Sequence, residues 1–339
     1  WTWYEPAQRY DREGDKMGVS YDGTLTKADG KGKWWEGYDP QDLYVQNHPM
    51  SKGSWANGMI YSQWTWENGA ATPSQKFCTN FYNRTLDAIN RYNPDLIYFD
   101  VTVVPFYPVS DAGLKIAAHF YNHNMATHKG KLEGVMFGKI LDENQRKGLV
   151  WDVERGAPNQ IQENAWQSCS CIGGWHYNTS IYEYNGYKSA ASVVKLLVDI
   201  VSKNGNLLLS VPLKADGSFD EKEEKILNEF GAWMDINKEA IYDTRPWKVF
   251  GEGPIAESDV KINAQGFNEG SYTNATAAEK RFTQTSKALY VTMLAWPAEQ
   301  KVTIKSLALN NPLFQKKISR VELLGYGKIP FTRTAEGLV

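Results

Sequence analysis

The sequence predicts an α/β chain: a (β/α)8-like barrel of the TIM type, short of its first strands, followed by an all-β sandwich. Three observations predict it. Strand-like and helix-like stretches alternate from Ser74 to Tyr242, the order that builds a parallel sheet. Two of the strand-like runs end on carboxylates, Asp100 and Glu154, and the C-terminal ends of strands are where such barrels carry their chemistry. Past Tyr242 the helical spacing stops and short alternating runs take over. The expected division is residues 1–243 for the barrel part and 244–339 for the sandwich.

Taken in order, residues 1–73 hold little periodic pattern beyond a short helix expected from Pro40 to Gln46. They are rich in aromatics: Trp1, Trp3, Tyr4, Trp34, Trp35, Trp55, Trp64 and Trp66. Aromatics in so long a loop form either a local core or a ligand platform, and Trp1, Trp3, Trp34 and Trp35 are the candidates to face a cleft. Ser74 reads as a helix cap. Phe77, Phe81, Leu86 and Ile89 then recur at helical spacing until Asn93, which Pro94 pushes out of the helix. Leu96-Ile97-Tyr98-Phe99 is too short and too aromatic for a helix and reads as a buried strand ending on Asp100. Ser110 opens a second helix through Tyr121. Strands are expected at Glu133 to Phe137 and at Leu149 to Val153, the second ending at Glu154-Arg155-Gly156.

Trp166 to Asn178 reads as a loop. Ala190 to Lys203 is an apolar helix with Gly205 in the place of a left-handed cap. Asn206 to Val211 is a buried strand. Asp220 and Glu223 form a capping box opening a helix with Ile226, Leu227, Phe230, Trp233 and Met234 inward. The later runs are Val260 to Ile262, Arg281 to Thr283, Ala288 to Ala295, Lys301 to Ile304 and Ile318 to Leu324.

Bulk properties exclude several functions. The 339 residues carry a net charge of -2, with no basic excess for nucleic acid or an anionic membrane. No apolar run is long enough to span a bilayer. Cys78, Cys169 and Cys171 do not make a disulfide framework, and the five histidines carry no zinc signature. No GxGxxG or Walker A motif follows a strand, so a dinucleotide or nucleoside triphosphate fold is not expected. No metal or cofactor is called for. The 13 Trp, 19 Tyr and 13 Phe fit an ordinary core or a sugar-binding cleft.

Two carboxylates on one side of a sheet are the machinery of glycoside hydrolysis. In the retaining form one attacks the anomeric carbon and the other protonates the leaving oxygen, about 5–5.5 Å away. Asp100 is the candidate nucleophile, with helix or loop capping as its structural alternative. Glu154 is the candidate acid/base, with Trp151 and Val153 as apolar neighbours and an ion pair to Arg155 as its alternative. Asp152 and Glu163 are reserve candidates for the acid.

Four stretches give a specific resemblance. They are Asn93 to Asp100, Trp151-Asp152-Val153-Glu154-Arg155-Gly156, Trp166 to Asn178, and Leu196 to Leu209 followed by Pro212 and Ala215-Asp216-Gly217. The chain resembles α-L-fucosidases of glycoside hydrolase family 29 over residues ~75–245. The resemblance implies a barrel with a C-terminal β-sandwich. It also implies a retaining exo-α-L-fucosidase acting on fucosylated glycans through a covalent fucosyl-enzyme. Asp100 takes the place of the nucleophile and Glu154 falls where members carry the acid/base. Tyr98 takes the place of the aromatic two before the nucleophile, and Trp175 that of the aromatic packed on the sugar methyl. His176 beside it either reaches the site or bonds to backbone. By analogy the compartment is secreted or periplasmic, with lysosomal second.

The histidines that hold fucose hydroxyls in the family lie on early barrel strands, and nothing here matches them. That region is expected to fall outside this chain, and a molecule starting at Trp1 is expected to be inactive. Val101 follows the nucleophile position, where a polar residue or Gly is expected. Another retaining glycosidase on a similar barrel, such as a galactosidase, and a non-catalytic glycan-binding homologue are the competing readings.

Overall fold

The computed structural model describes residues 14–17, 25–38, 73, 75–100, 106–260, 262–272 and 274–339. The expectations for Trp1, Trp3, the helix at 40–46, Trp55, Trp64, Trp66, the Ser74 cap and Val101 lie outside the described residues. The chain divides into two compact units, Trp1–Trp151 and Asp152–Val339.

In the first unit, helix α1 spans Gln75–Tyr92 and buries Phe77, Cys78 and Ile89. It stops as its sequence dictates. The Asn93 amide donates to the Ile89 carbonyl, Asn93 takes a φ of +44°, and Pro94 cannot donate. Strand β1, Leu96–Phe99, follows at once. Helix α2, Ala112–Thr127, begins where Ser110 Oγ accepts from the Ala112 amide at 3.2 Å. The Phe106 ring meets Phe77 edge-on at 5.6 Å and Phe81 at 4.9 Å, which ties the start of α2 to α1. Asn124 Oδ1 accepts from the amides of Glu133 and Gly134, both at 2.8 Å, and so aims the chain into β2, Val135–Gly138. Strand β3 is Val150–Glu154. The pairing is parallel throughout, Leu96 with Val135 through Phe99 with Gly138, then Phe137 with Val150.

The second unit begins with the end of β3. Strand β4, Trp166–Cys171, is buried along its whole length. This corrects the expectation of a loop there. The sequence Trp-Gln-Ser-Cys-Ser-Cys has neither apolar alternation nor an apolar run, but each polar side chain finds a partner inside. After a short helix α3, Thr179–Glu183, helix α4, Ala190–Ser202, is capped by Ser189, whose Oγ accepts from the Ser192 amide. It buries Val193, Leu196, Leu197, Val198 and Ile200, each worth about 1.5–3 kcal/mol when removed from water.

Strand β5, Gly205–Ser210, pairs in parallel with β4 from Trp166–Gly205 to Cys171–Ser210. Gly205 is therefore not the left-handed cap expected of it. Asn204 takes that conformation at φ +72°, while Gly205 lies under the Trp166 ring, where a Cβ would come within 2.5 Å of it. Helix α5, Glu221–Asn237, opens on the expected capping box: Asp220 accepts from the Glu223 amide at 2.8 Å, and Glu223 accepts from the Asp220 amide at 3.2 Å.

After Thr244 the pairing becomes antiparallel. Strands β6, Arg245–Glu252, β7, Lys280–Gln284, and β8, Leu289–Met293, form one sheet, and β9, Glu322–Leu323, pairs with β10, Gly327–Lys328. Val260, Ile262 and the run Lys301 to Ile304 are not strands; Ile304 makes only an isolated bridge to Leu338. Helix α4 packs on this sheet rather than ending at a boundary. Leu197 and Val198 share a core with Ile241, Ala275 and Leu294, and Asp199 binds Arg281 of β7.

Candidate active site

Parallel register places the first carboxylate. Phe99 lies opposite Gly138, so the residues that leave β1 and β2 next, Asp100 and Lys139, emerge side by side. Lys139 Nζ stands 2.9 Å from Asp100 Oδ1. Asp100 is 62% exposed, and Lys139 faces it from a more enclosed position. Tyr98, two residues back on the same strand face, is half-buried and packs on Phe137 with ring centroids 6.0 Å apart. The arrangement is a strand-end carboxylate, open to solvent, with a cation beside it and an aromatic below.

The second carboxylate is held differently. Glu154 ends β3, half-buried, and its amide donates to Gln265 Oε1 at 3.1 Å. The Nε2 of the same side-chain amide donates to the Asp152 carbonyl at 2.9 Å. Val153 is fully buried. Arg155 follows with φ +48°, a conformation that costs a non-glycine residue free energy and marks sites held by their surroundings. Its amide donates to the Cys169 carbonyl at 2.8 Å, tying the exit of β3 to β4. Its guanidinium Nε lies 2.7 Å from Glu269 Oε1. The Arg155 guanidinium thus pairs with Glu269, and the Glu154 charge also acts on it.

Glu269 is 6% exposed and gathers Arg155, Lys188 at 3.0 Å and the Ser170 hydroxyl. Burial pushes its carboxyl up, but Ser170, Arg155 and Lys188 together bring it below the usual carboxylate range. The same contact raises Arg155 above its ordinary value. Sequence reasoning missed Glu269 because it sits alone in a turn, Asn268–Tyr272, with no motif around it. The nearest signal is the amide-rich run Asn263, Gln265 and Asn268, residue types that pair with backbone.

The remaining candidates sort by burial. Asp152 is fully buried and committed: Oδ1 accepts from Gln167 at 2.7 Å and Oδ2 from the Cys169 thiol at 3.2 Å. Glu163 is exposed on the loop before β4. Trp175 is 41% exposed and His176 is exposed beside it, both past the end of β4. Trp34 lies on the surface at 72%. Trp35, at 1%, is packed into its own turn over Gly30 and presents no face to a cleft. His119 and His123 stack on each other and reach Asn90 and Asn93, at 2.7 and 2.6 Å. Among the described residues no three of His, Cys, Asp and Glu gather as a metal site, and the three cysteines are free and buried.

A family model described as alpha-L-fucosidase matches residues 11–239, a span that contains Asp100, Glu154 and both strand ends. The chain belongs to the α-L-fucosidase family. Among curated relatives, the plasma α-L-fucosidase of Rattus norvegicus is 30% identical over 54% of this chain and 34% of its own length. The human plasma α-L-fucosidase is 28% identical over 53% of this chain and 34% of its length. The chain thus spans about a third of the length of these relatives. A solved α-L-fucosidase superposes with a TM-score of 0.57 at 21% identity, covering 78% of this chain and 52% of that one. The shared fold is therefore that of the solved fucosidases, reached at low sequence identity. No helix among the described residues is long and apolar enough to cross a membrane.

Proposed function

We propose that this chain supplies the nucleophile and acid/base half of a retaining exo-α-L-fucosidase, within a (β/α)8 barrel completed by a C-terminal β-sandwich from residue 244. The observation that carries the reading is Asp100. It stands at the C-terminal end of a parallel strand, open to a ligand and facing Lys139, inside the span that matches the family.

Asp100 attacks the anomeric carbon of the terminal α-L-fucosyl unit. Glu154 gives its proton to the departing glycosidic oxygen. A water then attacks the fucosyl-enzyme with Glu154 taking its proton, and fucose leaves with its anomeric configuration retained. Lys139 places a positive charge 2.9 Å from the attacking carboxylate. Tyr98 and the exposed Trp175 and His176 are the proposed sugar contacts, with Trp175 against the apolar C6 methyl. Trp34 and the aromatics Trp1 and Trp3 are proposed for the outer cleft. The substrates are fucosylated glycans, and the proposed compartment is secreted or periplasmic, in keeping with relatives named for plasma.

The test is Asp100→Ala in the protein at its full natural length, assayed on an aryl α-L-fucoside. Hydrolysis falls at least ~10^3-fold, as for removal of a nucleophile elsewhere. Azide then restores turnover as β-fucosyl azide. A variant that hydrolyses at the wild-type rate ends the assignment.

A further inference from the structure

Trp175 and His176 are exposed in the loop 172–178, and the backbone just before them is closely confined. Gly173 lies against the Tyr187 ring, where a Cβ would come within 2.9 Å of Cδ1 and 3.1 Å of Ile181 Cγ2. At Gly174 a Cβ would stand 3.1 Å from the His176 carbonyl oxygen and 3.3 Å from Ile181 Cδ1. The two glycines thus let the chain lie directly on Tyr187 and Ile181, an approach that a side chain would block. The Lys188 amide donates to the Ile172 carbonyl at 2.7 Å, which lays residues 187–188 alongside the start of the loop. At its far end Asn178 caps α3, accepting from the Ser180 amide at 2.9 Å.

Tyr187 is held in turn by the start of α5. Its hydroxyl donates to Asp220 Oδ2 at 2.6 Å. Asp220 is buried, and its Oδ1 accepts from the amides of Lys222 and Glu223. Burial opposes the Asp220 charge, but Tyr187 and those amides outweigh it and hold the carboxyl below its ordinary value. Burial and the bond to Asp220 push the Tyr187 hydroxyl up, so it stays a donor. Tyr177, directly after His176, faces the same acid: burial first, and then Asp220, raise its hydroxyl. Tyr182 of α3 donates to Glu221, and Lys222 donates back to the Tyr182 carbonyl. The stretch that carries Trp175 is thus seated on residues 220–222.

We propose that Tyr187, anchored by Asp220, is a positioning residue for substrate binding: it supports the glycine pair before Trp175 and holds that ring in place for the sugar. The proposal rests on the reading of Trp175 as the contact of the fucosyl C6 methyl. A ring fixed before binding loses little freedom on binding, so its support is worth affinity. The methyl contact is made equally in the ground and transition states, so loosening it raises KM and spares kcat. A residue that acts only through Trp175 has nothing left to support once Trp175 is removed, which separates it from a residue of general structural value.

The experiment measures kcat and KM on 4-nitrophenyl α-L-fucoside for the protein at its full natural length, with melting temperatures alongside. The variants are Tyr187→Phe, Asp220→Asn, Trp175→Ala and the double variant Tyr187→Phe with Trp175→Ala. Phe keeps a ring on Gly173 and Asn keeps a cap on α5, so each takes away the anchoring bond and spares its surroundings. The expected result is a rise in KM of ~3–10-fold for Tyr187→Phe and Asp220→Asn with kcat within ~2-fold of wild type, and less than ~2-fold added to KM when Tyr187→Phe is placed on Trp175→Ala. Tyr187→Phe decides alone if Asp220→Asn does not fold. An unchanged KM in Tyr187→Phe, an equal rise with Trp175 present or absent, or a loss carried by kcat overturns the proposal and leaves the fucosidase reading standing. An unchanged KM in Trp175→Ala overturns the reading of Trp175 and the proposal with it. Wild-type protein inert on the fucoside overturns the fucosidase reading and the proposal together.

Discussion

Asp199 on α4 and Arg281 on β7 meet with both side chains fully buried, Oδ1 2.6 Å from Nε. Lys203, one turn along α4, reaches the other oxygen of Asp199 at 2.7 Å. Asp199 thus pairs with two buried cations, Arg281 also meeting Glu279 at 3.2 Å, and joins the helix before β5 to the antiparallel sheet. Burial opposes its charge, but Lys203 and Arg281 outweigh burial and hold the Asp199 carboxyl below its ordinary value.

Asp199→Asn takes the acid from buried Lys203 and one of the two acids from buried Arg281. Breaking a buried pair costs roughly 3–5 kcal/mol, far more than a well-packed apolar replacement of the whole group would. Urea unfolding of the variant reads this directly. A loss under about 1 kcal/mol would mean that the cations relax to water and that α4 is not pinned to β7.

Glu269 gives a pH dependence of definite sign. Its folded value lies below the ordinary 4.5. Its contribution to stability is therefore fully present above the unfolded value and is lost as pH falls through the folded one. Melting temperatures of Glu269→Gln fall less steeply than wild type as pH drops below about 4.5, the range of an unperturbed glutamate. Parallel slopes would show that the Arg155–Glu269–Lys188 contacts carry no net linkage.

Gly205→Ala tests close packing. Its φ is not left-handed, so backbone strain is not at issue. A Cβ would stand 2.5 Å from Trp166 Cε2 and 2.7 Å from Ile200 Cγ2. The Trp166 ring cannot swing away cheaply, because Nε1 donates to the Lys203 carbonyl at 2.9 Å. Overpacking of this kind costs about 1–3 kcal/mol, read by chemical denaturation.

The sequence was legible where local physics acts alone. β1 is short, apolar and aromatic, and Pro94 closes the helix before it. Asp220 and Glu223 announce α5 by spacing. Asp100 was visible because it interrupts an apolar strand. β4 was not legible, because a fully buried strand of polar residues depends on partners that no window of sequence contains. Gln167 needs Asp152, Ser168 needs the Gly156 carbonyl, and Ser170 needs Glu269, 99 residues later. Trp34 and Trp35 make the same point at closest range. They are adjacent, alike in type and opposite in burial, and only Gly30 beneath one of them decides which is core.

The central claim is that Asp100 forms the covalent bond to fucose. The most direct measurement treats this protein at its full natural length with 2-fluoro-fucosyl fluoride, followed by proteolysis and mass spectrometry. The account predicts one fluorofucosyl unit on the peptide Asp95 to Asp100, attached at Asp100. A label on another carboxylate would contradict it.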